Sequence, residues 1–346
     1  MLAYIAKRFL LMIPTLLGVL TLTFIVIQFV PGGPVEQLIA EARAGNRGGD
    51  TGGGFQARRD LDAKQVAELK VLYGFDKPPL ERYVSMLGSF ARFDLGKSFM
   101  RNKDVWSLIK EKLPVSLSLG LWTFLISYLL SIPLGVAKAV RQGTRFDTFT
   151  TMLVLVGYAI PGFVLGVLLI VLFAGGSFFD WFPLRGLTSD NWMELSWPAR
   201  IRDYLWHLVL PLTCFSIGSF AIVTMLTKNT FLEEIRKQYV LVARAKGLSE
   251  RRVLYRHVFR NALIPLITGF PTAFVGAFFA GSLLIETLFS LDGLGLLSYQ
   301  SLIQRDYPVV MGTLYLLTLI GLIVKLASDL LYVVVDPRVQ FAAVAK

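Results

Sequence analysis

Tyr239-Val-Leu-Val-Ala-Arg-Ala-Lys-Gly247 lies inside a dense basic stretch, residues 228–260, set between two strongly apolar segments. Its local chemistry reads helix, stop, helix. Leu232, Ile235, Tyr239 and Val242 recur at helical spacing. Gly247 suits a left-handed position just past a helix end, and Ser249 then stands where a new N-cap belongs. Glu250 follows in the first turn, where a negative charge complements the helix dipole. In the second helix Leu254 and Val258 share an apolar face, while Arg252, Arg256 and Arg260 form a basic stripe four residues apart. Positive loops on one side of a membrane would account for the charge alone. They do not account for two short capped helices joined at a glycine, an arrangement that suits docking against a partner.

The composition sets the context. Hydrophobic residues make up 54% of the 346 and charged residues 17%, with a formal net charge of +11. That balance excludes an ordinary soluble globule and fits a multi-pass membrane protein. The positive charge is read as basic cytoplasmic loops facing anionic lipid, not as a nucleic-acid surface. The single cysteine, Cys214, sits in an apolar run, so no intrachain disulfide is possible. His207 and His257 are far apart in sequence and have no cysteine neighbours, so neither a metal nor another cofactor is expected.

Crossing about 30 Å of hydrocarbon takes about 20 apolar residues. Six stretches qualify: 9–30, 115–140, 149–174, 208–227, 264–289 and 309–335. Lys7 and Arg8 precede the first, which lacks a small-residue cleavage site and is read as a retained helix. They place the N-terminus inside. Six spans then put 141–147, 228–260 and the tail 336–346 inside too, all net basic. The expected organisation is a first region 1–30, an extracytoplasmic loop 31–113, a core 114–335 with the cytoplasmic loop 228–262, and the tail 336–346. In the long outer loop, 45–54 is glycine-rich. Asp62 and Gln65 predict a capping box for a helix through Leu69 and Leu72 that ends at Gly74. Leu80, Tyr83, Val84 and Leu87 predict a second amphipathic helix after Pro78-Pro79.

Motifs for chemistry are sparse. Ala91-Arg-Phe-Asp-Leu-Gly96-Lys97-Ser98 comes within one residue of a P-loop. It lacks the first glycine and a preceding strand, and the topology places it outside, away from ATP. No G-x-S-x-G or H-E-x-x-H occurs. No catalytic role is therefore expected. Lys325 and Asp329, four apart on one helix, are expected to pair, the alternative being a proton or ion relay. Glu286, near the outer end of the fifth span, reads either as an interfacial carboxylate reaching water or as a gate. Tyr158-Ala-Ile-Pro161 interrupts the third span, as a kink beside a pathway or as a passive packing kink.

The central loop resembles the coupling loop of ABC importer permeases, with the pattern E-A-A-x-x-x-G. Leu241, Val242 and Ala243 stand at its first three positions and Gly247 at its glycine; the leading Glu and first Ala are absent. Ala243-Arg-Ala-Lys-Gly247, Arg260-Asn-Ala-Leu-Ile-Pro265, Pro31-Gly-Gly-Pro34, Tyr73-Gly-Phe-Asp-Lys-Pro78, Asp94-Leu-Gly-Lys-Ser98, Ile132-Pro-Leu-Gly135, Gly293-Leu-Gly295 and Asp336-Pro-Arg338 resemble the dipeptide/oligopeptide branch of that family. Within it, the insertion near 45–54, Phe173-Ala-Gly-Gly-Ser177, Phe182-Pro-Leu-Arg-Gly-Leu187 and Met225-Leu-Thr-Lys-Asn229 resemble B-type permeases of importers for microcin C and related peptides.

The resemblance implies an all-α membrane protein of the type I ABC importer permease fold, with six transmembrane helices and a large extracytoplasmic loop after the first. It implies a bacterial inner-membrane subunit with both termini cytoplasmic and half of a peptide pathway. The implied partners are a C-type permease, two cytoplasmic ATP-binding subunits and an extracytoplasmic peptide-binding protein. Ala243, Arg244, Ala245, Lys246 and Gly247 would form the ATPase-coupling element, and Tyr158, Pro161 and Glu286 are candidates for the pathway or gate. The rival classes are a secondary transporter driven by ion gradients, which would need ionisable residues along a path and usually internal repeats, and a membrane-embedded hydrolase, for which no nucleophile motif is present.

Overall fold

The computed structural model describes residues 2–30, 71, 75–176, 178–279 and 283–335. Expectations for Pro31–Pro34, the glycine-rich 45–54, the capping box at Asp62, the stop at Gly74 and the tail from Asp336 lie outside these residues. Among the described residues the regular structure is helical apart from an isolated bridge between Lys97 and Asp104. The helices are α1 (Leu2–Phe29), α2 (Pro79–Phe90), α3 (Val105–Val140), α4 (Arg145–Ala159), α5 (Gly162–Phe173), α6 (Trp197–Ile235) and α7 (Gln238–Ala245). A segmented helix, α8, follows as Glu250–Arg252, a π-helical Val253–Val258 and Phe259–Ala262. Then come α9 (Ile264–Phe279), α10 (Leu283–Leu288), α11 (Leu294–Ile303) and α12 (Tyr307–Val335).

The helices overrun the apolar stretches that announce them. α3 starts at Val105, ten residues before the expected span. Val105, Leu108 and Ile109 are buried while Lys110 and Glu111 are exposed, so an amphipathic turn extends a helix that hydropathy alone cuts short at the charges. α6 likewise runs 39 residues, from Trp197 to Ile235, with charged flanks around its apolar centre.

Among the described residues one expected span is broken. Residues 149–174 form α4 and α5, bent by 98°. Proline disfavours helical backbone in the residue before it, and Ile160 is extended at φ −84° and ψ 120°. Pro161 then occupies the N-cap of α5. Of residues 264–289, α9 and α10 are described, and 280–282 between them lie outside the described residues. Among the described residues four helices are long and apolar enough to cross a membrane, and five spans result if the bent pair crosses as one.

The chain divides into two compact units. One comprises Leu2–Lys112 with Leu297–Ile320. In it the Phe90 and Tyr315 rings meet at 5.0 Å, and Leu95, Val105 and Val309 are buried. Of the apolar face expected for α2, Tyr83 and Leu87 are half-buried, but Leu80 and Val84 are exposed. The P-loop-like Ser98 is committed to structure. Its hydroxyl donates to Asp306 and accepts the Arg101 amide at 2.9 Å, while the Phe99 amide donates to Asp306 at 2.9 Å.

The other unit comprises Leu113–Leu296 with Gly321–Lys346. Leu119, Leu208, Leu212, Cys214, Ile285 and Phe289 belong to one of its cores. Ala139, Phe231, Val240, Ala243, Val253, Val258 and Ala262 form another, on which the central loop is built.

Candidate functional site

The central basic loop is a rigid construction. α6 ends at Ile235 and α7 begins at Gln238, so the helical spacing from Leu232 to Val242 does not describe one continuous face. Val240 and Ala243 are the buried residues of α7, and Val242 faces out. The end of α7 is closed as a Schellman motif. The Leu248 amide donates to the Ala243 carbonyl at 3.4 Å and the Gly247 amide to the Arg244 carbonyl at 2.9 Å. Gly247 takes φ +78°, the left-handed conformation that its position requires. Across this stop the Arg244 guanidinium grips both carboxylate oxygens of Glu250, at 2.7 and 3.1 Å. Ala243, Arg244, Ala245, Lys246 and Gly247 are therefore one hydrogen-bonded corner.

Ser249 occupies the N-cap position of α8, but its side chain makes no capping hydrogen bond; its carbonyl accepts from the Val253 amide at 3.0 Å. The π-helical turn shifts the register of α8 beyond Arg252. Val253 and Val258, five apart, are the buried pair, and Leu254 is only half-buried. The expected Leu254–Val258 face assumed four-residue spacing, which a π turn replaces with five.

Sequence reasoning missed two polar joints. The Tyr239 hydroxyl donates to Glu234 at 2.6 Å and accepts from the Asn261 side chain at 3.1 Å, so it ties α6, α7 and α8 together. Burial, followed by the neighbouring Glu234, pushes the phenol above its ordinary range against the Asn261 bond, which keeps it a donor. The second joint is a buried cluster. Lys138, fully buried at the end of α3, lies 3.3 Å from the Asp147 carboxylate and donates to the Thr150 and Thr151 hydroxyls at 2.8 and 2.6 Å. Lys228 of α6 reaches the same carboxylate at 2.6 Å. The signal available in the sequence was a lysine inside a stretch read as membrane-spanning.

The three gate candidates do not share an environment. Tyr158 and Pro161 lie at the bend between α4 and α5, Tyr158 exposed and Pro161 likewise. Glu286 is 1% exposed, which overturns its reading as a carboxylate reaching water. It accepts the Leu296 amide at 2.7 Å, and the Gly293 and Gly295 amides also point at it. A Cβ at Gly293 would lie 2.8 Å from Glu286 Oε2, so only glycine lets the backbone come this close. Among the described residues the expected Lys325–Asp329 pair is not formed. Lys325 is exposed on α12, where a long side chain can carry its charge to the membrane interface. Among the described residues no cluster of His, Cys, Asp and Glu could hold a metal ion.

Residues 131–341 match the family model described as binding-protein-dependent transport system inner membrane component. The chain is 54% identical to the peptidoglycan transport system permease protein YejB of Agrobacterium fabrum, over 98% of both chains. It is 52% identical to the inner membrane ABC transporter permease protein YejB of Escherichia coli O157:H7, over 98% of this chain and 99% of that one. Identity is 33% to the di/tripeptide transport system permease protein DppB of Pseudomonas aeruginosa, with the same coverage.

Proposed function

This chain belongs to the binding-protein-dependent transport system inner membrane components, and from that premise we propose that it is the permease subunit of an ATP-driven peptide importer. It forms half of a translocation pathway, completed by a C-type permease. Two cytoplasmic ATPase subunits drive it, and an extracytoplasmic binding protein delivers peptides, microcin C-like peptides among them. The peptide assignment is supported by the roles that its relatives are named for and by the motif set that runs from Pro31 to Arg338. Six spans, with 31–113 outside and the loop 228–262 and both termini inside, make up the proposed topology.

One observation carries the mechanism. α7 is anchored by Val240 and Ala243 while Leu241 and Val242, 57% and 52% exposed, are presented on its free surface. An apolar patch on a cornered, hydrogen-bonded helix is suited to an ATPase groove. The helix shares a core with Ala139 of α3 and Phe231 of α6, so a push on α7 moves spanning helices instead of being absorbed by the loop. Ala243 to Gly247 is the coupling element. Tyr158 and Pro161, at the bend, line the pathway; Glu286 acts on the gate by holding the 289–296 backbone.

The test is transport in proteoliposomes. Peptide uptake requires ATP and the ATPase subunits and persists when ion gradients are collapsed. The purified chain alone hydrolyses no ATP. Uptake that tracks a proton or sodium gradient without ATPase subunits refutes the proposal and favours a secondary transporter.

A further inference from the structure

A cavity of about 340 Å³ lies within the first unit, between the end of α1, α2, the loop at 94–99 and the start of α12. Its walls are largely apolar, with Phe24, Ile27, Met86, Phe99 and Met311 among them. Arg82 is set into this lining. Its Nη2 donates to Gln28 at 2.9 Å, its guanidinium lies 4.8 Å from the Phe75 ring centre, and its Nε is buried without a hydrogen-bond partner. No ion pair joins Arg82 to the acids around it among the described residues. Glu81 pairs with Lys77 at 3.0 Å, and Asp94, on the lining, accepts the Gly96 amide at 3.0 Å. Burial lowers the Arg82 pKa below the usual guanidinium value, a cost that a counter-anion would relieve.

A half-buried guanidinium with an unsatisfied nitrogen calls for an anion, and apolar walls call for a hydrocarbon neighbour. Near the cavity-lining Gln28 in sequence, Ile25 and Phe29 of α1 are 49% and 82% exposed and give the helix an apolar surface at this end. We propose that this cavity is a binding site for an anionic phospholipid, its phosphodiester against Arg82 and its acyl chains along the exposed face of α1. The site rests on the topology proposed above, which puts this end of α1 at the outer leaflet. A water-borne peptide carboxylate would satisfy the charge but leaves the apolar face of α1 without a partner.

The full chain, purified in mild detergent and stripped of lipid, is titrated by native mass spectrometry with phosphatidylglycerol, phosphatidylcholine and an unblocked tripeptide. Wild type is expected to take up one phosphatidylglycerol at least tenfold more tightly than phosphatidylcholine. Arg82→Gln should remove that preference. Met86→Trp should weaken binding by filling the cavity with Arg82 intact, and Lys97→Gln should change nothing. Equal lipid binding by wild type, Arg82→Gln and Met86→Trp overturns the site. So does the absence of a charge preference in wild type, or saturable binding of the tripeptide that excludes lipid. Labelling Arg92→Cys with an impermeant thiol reagent separates the two readings. Access only from the cytoplasmic side, with Arg82-dependent lipid binding intact, would refute the topology and leave the site standing.

Discussion

Lys138 and Asp147 form a buried ion pair at 3.3 Å between the end of α3 and the first turn of α4, and Lys228 of α6 closes on the same carboxylate. One carboxylate thus serves two lysines. Removing it leaves two cations in a site from which water is largely excluded, and breaking a buried pair from one side costs roughly 3–5 kcal/mol. Asp147→Ala should therefore lower membrane abundance and thermal stability severely. Lys138→Met should do far less, because Asp147 keeps Lys228 and an apolar chain of similar length fills the space. Thermal unfolding of the purified variants gives the order. Equal losses would show that the cluster is held by packing and not by charge.

Glu286 invites a second comparison. If its charge gates ions or peptide, Glu286→Gln should abolish transport as fully as Glu286→Ala. The geometry predicts otherwise. The carboxylate accepts backbone amides from the 293–296 segment, and glutamine keeps one acceptor oxygen while turning a donor against the rest. A mismatch of that kind costs about 1–3 kcal/mol. Glu286→Gln should retain measurable uptake at reduced stability, and Glu286→Ala should lose both. Gly293→Ala should resemble Glu286→Ala, since its new Cβ falls on the carboxylate. Uptake and unfolding temperature, measured together for the three variants, decide the matter.

The legibility of this chain depends on which features are local. Gly247 was readable because a left-handed residue between two helices admits glycine at little cost, and a Ser-Glu start two residues later marks the next helix. The break at Pro161 was readable as a kink for the same kind of reason, though not its 98° size. The starts of α3 and α6 were missed because their flanks are amphipathic, and a hydropathy window averages that pattern away. The π turn has no composition of its own. Val253, Leu254 and Val258 are all apolar, and nothing in their order says whether the buried spacing is four or five. Lys138, Asp147 and Lys228 come from three helices, so their meeting is a property of the fold alone.

The proposed topology is tested by single cysteines in a Cys214→Ala background. Cys214 is buried, and a small apolar replacement leaves its site dry. Gly53→Cys should react with an impermeant thiol reagent added to cells with a permeabilised outer envelope. Ser249→Cys should react only after the inner membrane is opened; its side chain is exposed and makes no capping bond, so the substitution disturbs little. Reaction of Ser249→Cys in sealed cells would turn the coupling loop outward and remove its access to an ATPase.

Gly247 separates coupling from folding. A side chain added there meets nothing within 4 Å, so substitution acts through the backbone and not through a clash. A left-handed residue other than glycine costs about 1–2 kcal/mol, least for asparagine and most for a β-branched residue. The corner closed by the Leu248–Ala243 and Gly247–Arg244 bonds should open in the same order. Gly247→Asn should transport nearly as wild type, Gly247→Ala less well, and Gly247→Val hardly at all. Throughout the series membrane abundance should stay near normal, because the spans do not depend on this corner. ATPase subunits should co-purify weakly with Gly247→Val or hydrolyse ATP without moving peptide. The measurement is uptake of a labelled peptide beside membrane protein level and ATPase co-purification for each variant. Wild-type uptake and ATPase association in Gly247→Val would make the corner an ordinary loop and leave the exposed Leu241 and Val242 without the rigid support on which docking depends.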